Sequence, residues 1–187
     1  MPPPSQLEAG EDVPNDVNVV IEIPRGSDVK YELDKKSGFV FVDRFLYTST
    51  HYPFNYGFIP QTMSEDGDPL DALVITEDPV YPMSVIRSRP IGVLLMEDEG
   101  GRDAKLVTVP ARHIDPSYSD VDSIMQIPEF TRKQIEHFFS HYKSSEPNKF
   151  VKIDKWEDQK YAKKLIKESI ARAKKETGKE AVSRFRR

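Results

Sequence analysis

The sequence predicts a mainly β protein of the α+β class, a small closed β-barrel flanked by two α-helices in the C-terminal half. Three observations carry that expectation. Short β-type runs fill the first two thirds of the chain, Gly, Pro and Asp punctuate them, and helical periodicity enters only after Pro128. The runs are Val17–Ile23, Val29–Leu33, Phe39–Leu46, Ala72–Ile75, Ser84–Leu95 and Lys105–Pro110. Strands that follow one another across turn signals favour a barrel over alternating βαβ units. Pro128 suits a first helical turn, and Phe130, Ile135, Phe138, Phe139 and Tyr142 then recur at helical spacing. Asp158 can cap a second helix, on which Tyr161, Ala162, Leu165, Ile166, Ser169 and Ala173 form one face before Gly178 ends the pattern. Both helices are expected to pack on the barrel.

A length of 187 residues suits one domain with a real core. A hydrophobic fraction of 37%, a charged fraction of 31% and a mean hydropathy of −0.58 place the chain among ordinary soluble proteins. The polar, proline-containing start Met1–Ser5 has no apolar run of the signal-peptide kind, and no stretch is long enough to span a bilayer, so neither export nor a membrane partner is expected. Because cysteine is absent, disulfides, thiolate metal sites and cysteine nucleophiles are excluded, and a cytoplasmic setting fits. The net charge of −4 is unevenly spread, with acids around Glu65–Asp78 and Glu97–Asp103 and bases after Lys160, so a general nucleic-acid surface is not indicated.

The sharpest feature is Asp66-Gly67-Asp68-Pro69-Leu70-Asp71, directly before the apolar run Ala72–Ile75. Pro69 biases Asp68 toward extended geometry, so Asp66 and Asp68 can point the same way about 6.6 Å apart. Alone, the run also reads as an acidic turn, which conformational preference favours. An EF-hand loop fits poorly, because Leu70 stands where a polar ligand belongs and a strand follows instead of a helix. Glu97–Lys105 reads as a hairpin connection. Glu22 interrupts a buried-looking strand and needs a partner such as a cation. Lys30 and Glu32 share one face of their strand, and Arg44 lies in another. The aromatic segment Tyr52–Phe58 reads as core or interface, and Lys143 can simply complement a helix dipole. His137 and His141 stand one helical turn apart, but without the glutamate of a zinc protease motif they suit a subunit contact or a solvated face.

Taken in order, these segments resemble the family I soluble inorganic pyrophosphatases, whose signature Asp-x-Asp-Pro-x-Asp stands intact at Asp66–Asp71. The similarity runs from about Asn15 to Lys174, through Val20-Ile21-Glu22-Ile23-Pro24, Lys30-Tyr31-Glu32, Val42-Asp43-Arg44, Tyr52–Gly57, Asp98–Lys105 and His137–Lys143. It implies a single domain over 15–174, a flexible leader over 1–14 and a basic tail over 175–187. It also implies a five-stranded barrel resembling an OB-fold, with several magnesium ions at its mouth. The implied reaction is hydrolysis of inorganic pyrophosphate to two orthophosphates, by in-line attack of a metal-activated water and without a covalent intermediate. By resemblance, Asp66, Asp71 and Asp103 are ligands of the tightest metal site, Asp71 lies near a second ion, and Asp98 joins Asp103 around a third. Glu22 and Glu32 correspond to groups facing metal-bound water or substrate, and Asp68 looks like the base that deprotonates the attacking water. Lys30, Arg44, Tyr56, Lys105, Tyr142 and Lys143 correspond to phosphate-holding groups, with Tyr52 and Asn55 in support. The resemblance further suggests a homo-oligomer, a hexamer if the source is bacterial or archaeal.

The implied constellation is physically coherent. Two carboxylates about 4 Å apart repel by roughly 4 kcal/mol at an effective dielectric of 20, so several stay ionised together only around cations. Magnesium prefers such hard oxygen ligands, and paired metals lower the pKa of a water aligned for attack while lysine and arginine absorb leaving-group charge. Two other functions compete. An OB-like module could bind single-stranded nucleic acid through Tyr52, Phe54, Tyr56 and Phe58, but an acidic mouth would repel its phosphates. A nucleotide phosphohydrolase would need a stacking pocket that the sequence does not display.

Overall fold

The computed structural model describes residues 7–34 and 37–184, from 177 onward by backbone alone. Eight strands and two α-helices follow one another as β1 (Val17–Ile23), β2 (Val29–Leu33), β3 (Val40–Phe45), β4 (Asn55–Phe58), β5 (Asp71–Val74), β6 (Val85–Asp98), β7 (Gly101–Pro110), α1 (Glu129–His141), β8 (Val151–Asp158) and α2 (Gln159–Arg184). Five strands close into a ring, β1-β4-β5-β7-β6 and back to β1, which is the expected five-stranded barrel. Neighbours in the ring are antiparallel except β5 and β7, which run parallel. β8 pairs outside the ring with β6, and β2 and β3 form a separate hairpin beside it. No helix among the described residues is long and apolar enough to cross a membrane.

Burial explains these strands. In β1 the sequence VNVVIEI leaves only Asn18 and Glu22 outside the buried set. The ladder from β1 to β4 advances two residues between Ile21 and Ile23 against one between Gly57 and Tyr56, so Glu22 is the extra residue of a bulge. Such an insertion re-aims a side chain, and here it frees a carboxyl from the ladder at the barrel mouth. Gly57 is required at this crossing, because a Cβ there would stand 1.8 Å from the Val20 carbonyl oxygen.

The helices seal the barrel on two sides. Ile135, Phe138 and Phe139 of α1 join Tyr52, Tyr56, Leu73, Leu94 and Val107 in one core cluster. Ala162 and Ile166 of α2 join Leu70, Val93 and Leu106 in another. Full burial of a side chain such as Phe138 contributes about 2 kcal/mol. Asp158 caps α2 as expected, its Oδ1 accepting from Tyr161 N at 2.9 Å. Three details differ from the sequence expectations. Phe130 is 72% exposed and lies off the buried face of α1. α2 continues past Gly178 to Arg184, since glycine inside a helix costs only about 1 kcal/mol relative to alanine and does not forbid it. β4 and β8 are strands that the pattern of apolar runs does not announce. From Leu7 onward the segment before β1 lies along it, with Ala9 buried and Asn18 Nδ2 donating to Glu8 O at 2.9 Å.

Candidate active site

The acidic run lies in the tight loop between β4 and β5. Gly67 holds φ at 94°, Asp66 Oδ1 accepts from Asp68 N at 3.0 Å, and Ser64 N donates to Asp68 O at 2.6 Å. Asp66 and Asp68 are exposed, whereas Asp71, the first residue of β5, is half-buried. A cleft of about 570 Å³ brings Asp66, Asp68 and Asp71 together with Glu22, Lys30, Glu32 and Tyr56. Four separate stretches of sequence are thus joined by barrel closure and the packed hairpin.

Lys105 of β7 organises the floor. It is 4% exposed, and its Nζ stands 2.6 Å from Asp71 Oδ2 and 2.8 Å from Asp103 Oδ2 while donating to Tyr56 Oη at 3.2 Å. Burial works against its charge, but the carboxylates of Asp71 and Asp103 and the Tyr56 oxygen hold its pKa well above the ordinary lysine value. Burial raises the pKa of Asp103, and the negative charges of Asp71 and Asp98 add to the rise against the pull of Lys105. Desolvation likewise keeps the phenols of Tyr52 and Tyr56 protonated far above neutral pH. Tyr142 is buried with them, stacked on Phe138 at 5.2 Å between ring centroids.

The turn between β6 and β7 carries Asp98, whose Oδ2 accepts from Lys143 Nζ at 2.7 Å. Lys143 follows α1, and its Nζ also reaches Glu99 Oε1 at 3.2 Å. On the β2–β3 hairpin, Lys30 is paired with Glu32 and, at 3.3 Å, with Asp43. Asp43 also pairs with Arg44, whose Nε donates to Glu146 Oε1 at 2.9 Å. Burial pushes Asp43 up, but Lys30 and Arg44 outweigh it and leave its carboxyl below the usual range. Sequence reasoning singled out neither Glu99 nor Glu146. Glu146 had no signal to give, because it meets Arg44 only across 102 residues of chain.

Glu22 finds one partner in a backbone amide, with Leu33 N donating to Oε1 at 2.8 Å. Burial, reinforced by Asp71 and Glu32, pushes its carboxyl up to about 7. Asn55 is fully buried and shaped by its neighbours: Oδ1 accepts from Arg25 N at 3.0 Å and Val80 N at 3.1 Å, and Nδ2 donates to Thr76 Oγ1 and Asp78 O. His137 and His141, both exposed, stack on each other at 4.3 Å on α1.

Among the described residues no three His, Asp or Glu side chains are gathered closely enough to hold an ion as they stand. Lysine ammonium groups bridge or cap the carboxylates instead. The donor chemistry nevertheless fits a hard divalent cation: every carboxylate at the mouth offers oxygen, without sulfur or imidazole among them. The half-buried Asp71 and the largely buried Asp103 share one lysine, so the floor keeps an excess of negative charge.

The sequence matches the family model described as inorganic pyrophosphatase over residues 19–174. It is 55% identical over 169 residues to the inorganic pyrophosphatase of Aquifex pyrophilus, covering 90% of this chain and 96% of that one. The enzyme of Gluconobacter oxydans is 56% identical over 170 residues, covering 91% and 98%. The crystal structure of inorganic pyrophosphatase from Thermus thermophilus superposes with a TM-score of 0.88 at 42% identity, covering 92% of this chain and 99% of that one. Agreement of this extent, in sequence along most of the chain and in fold along nearly all of a solved relative, establishes that this chain belongs to the inorganic pyrophosphatase family and is a metal-dependent hydrolase that converts pyrophosphate to two orthophosphates.

Proposed function

We propose that the divalent cofactor is magnesium and that the mouth of the barrel, within a single catalytic domain over residues 15–174, is where pyrophosphate is cleaved. The observation that carries this reading is the meeting of Asp66, Asp68 and Asp71 with Glu22, Lys30, Glu32 and Tyr56 in one cleft. Asp66, Asp71 and Asp103 would hold the tightest ion, and Asp98 with Asp103 a further one. Bound there, magnesium supplies Lewis-acid chemistry, lowering the pKa of water and offsetting charge on phosphate oxygens.

The protein's own groups do the rest. Asp68, exposed at the loop tip beside the cleft, takes the proton from the water that attacks phosphorus. Lys30, Arg44 and Lys143 come from separate elements and hold the two phosphoryl groups in line, with the leaving phosphate's charge taken up by the cations. Lys105 is buried between carboxylates and fixes their spacing, while adding positive charge close to the substrate. Tyr56 and Tyr142, protonated at working pH, donate hydrogen bonds rather than charge. Glu22 and Glu32 orient water at the rim, and Tyr52 and Asn55 support the wall from behind. The enzyme works in the cytoplasm as a homo-oligomer, and the stacked His137 and His141 on the outer face of α1 suit a contact between subunits.

Phosphate release from pyrophosphate and from nucleoside triphosphates, each with magnesium, calcium or a chelator, tests the reading. Turnover is expected on pyrophosphate with magnesium and not with calcium, which takes more ligands at longer distances. Full turnover after exhaustive chelation, or a preference for nucleoside triphosphates, would sink it.

A further inference from the structure

The acidic loop is fastened to α2 at its base. Its neck is closed by Ile59 N donating to Leu70 O at 3.0 Å. Inside the neck, buried Thr62 Oγ1 donates to Ile59 O at 2.6 Å and accepts from Leu70 N at 2.9 Å. These bonds, with those among Ser64, Asp66 and Asp68, fix the shape of the loop and continue the β4–β5 ladder into its neck. Beyond the neck, α2 supplies a further anchor. Met63 N donates to Ser169 O at 3.0 Å, and Arg172 Nη1 donates back to Met63 O at 2.5 Å. Both polar backbone groups of Met63 are therefore tied to one turn of α2, beside the fully buried Ser169. Met63 follows Gln61, held at a left-handed φ of 54°, and Thr62, so the chain turns sharply just before the clamp. Arg172 also lines a cavity of about 500 Å³ that opens onto Asp66 and Asp103.

We propose that Arg172 is a positioning residue for the metal site: by fastening Met63 to α2, it holds the acidic loop where Asp66 and Asp103 line one cavity. The inference rests on the reading of Asp66, Asp71 and Asp103 as magnesium ligands. Two effects of losing Arg172 have opposite signs, which makes the role measurable. Removing a positive charge beside carboxylates strengthens their attraction for another cation. Releasing the loop weakens it, because ligands must then be ordered by the ion itself. A loss of affinity therefore reports positioning, and a gain reports charge alone.

The test is calorimetric titration of the full chain with magnesium chloride, without substrate, for the wild type, Arg172→Met and Arg172→Lys, alongside melting temperatures in chelator. Arg172→Met keeps the aliphatic stem and loses every donor, and is expected to weaken magnesium binding by about 10-fold, the lower scale for losing an outer partner of a metal site. Arg172→Lys retains a donor and should recover most of that loss. In assays, kcat should return toward the wild-type value once magnesium is saturating. If Arg172→Met cannot be purified folded, Arg172→Gln, too short to reach Met63 O, is expected to show the same weakening. Unchanged or tighter binding in the donor-free variant overturns the inference, as does failure of Arg172→Lys to recover affinity. A wild type that binds no magnesium overturns both the inference and the functional reading beneath it, whereas a binding wild type with an unaffected variant overturns the inference alone.

Discussion

Replacing Glu22 by glutamine tests whether the barrel mouth contains a carboxyl that the fold resists ionising. The residue stands on the β1 bulge, half-buried, with a single backbone amide donated to it by Leu33 at 2.8 Å. Burial, aided by the negative charges of Asp71 and Glu32, raises its pKa from 4.5 to about 7. The folded protein thus binds this proton more tightly than the unfolded chain does. Its contribution to stability is complete below pH 4.5 and is lost as pH rises through about 7. At 1.36 kcal/mol per pKa unit the loss approaches ~3 kcal/mol, which partial exposure reduces to about 2 kcal/mol. Glutamine has the same shape and cannot ionise, so Glu22→Gln should gain about that much relative to the wild type across the interval. For a protein of this size the gain corresponds to roughly 4 to 8 °C in Tm. Thermal melts of both proteins in chelator, stepped from about pH 4.5 to about pH 8, measure it. All other titrating groups are common to the pair and largely cancel in the difference. Parallel stability curves through the whole interval would refute the reasoning and mean that Glu22 is solvated.

Three further perturbations probe the site and its scaffold. Asp68→Asn should lower kcat by roughly 10²- to 10⁴-fold with magnesium affinity nearly intact, whereas Asp71→Asn should weaken magnesium binding and recover part of its activity in excess metal. Magnesium titrations of the two variants decide this, and identical responses would remove the separate role of Asp68. Lys30→Ala, Arg44→Ala and Lys143→Ala should each depress kcat/KM strongly; Lys30→Ala should change stability by no more than about 1 kcal/mol, because Glu32 and Asp43 are exposed or part-exposed, whereas Arg44→Ala and Lys143→Ala should cost more, because they leave the largely buried Glu146 and Asp98 without those cations. Unaltered kinetics in all three, measured beside Tm, would mark them as solvated charges. Gly57→Ala places a methyl 1.8 Å from Val20 O and should destabilise by about 3 kcal/mol or more in urea denaturation, while a wild-type midpoint would contradict the close approach of β1 and β4.

Much of the barrel was legible because its strands bury both faces or alternate cleanly. Val17–Ile23 and Val29–Leu33 coincide with the apolar runs that announced them. β8 was not legible: VKIDKWED is crowded with charge, as suits a strand on the outer edge of a sheet, where lysines discourage pairing with another chain. β4 was hidden for a different reason. Its four residues, Asn55–Phe58, are all buried, and they lie within an aromatic segment whose core role masks any period of two. The aspartates of the acidic loop were visible because three fall within six positions. What holds them was not. Lys105 on Asp71, Glu146 on Arg44 and α2 on Met63 are contacts across 34, 102 and 109 residues of chain, and no local pattern encodes them.

β6 serves three partners, and that arrangement bears on how the molecule assembles. β7 runs along one edge of it from Ser88 to Asp98, while the other edge is shared in succession, by β1 at Val85–Ser88 and by β8 at Gly92–Asp98. The register slips at Pro90–Gly92, where the second edge passes from one partner to the other. The hairpin of β6 and β7 needs only a tight turn and can form early. Closing the ring requires Val17 to find Ser88 and Val20 to find Val85, and docking β8 requires Val151 to find Asp98. Pairings so distant along the chain carry their loop-closure entropy before any burial rewards it, which places this barrel among slow-folding topologies. Until both partners arrive, the free edge of β6 is the longest unpaired strand in the nascent molecule, and the sequence of its capture decides how long that edge is open to neighbouring chains.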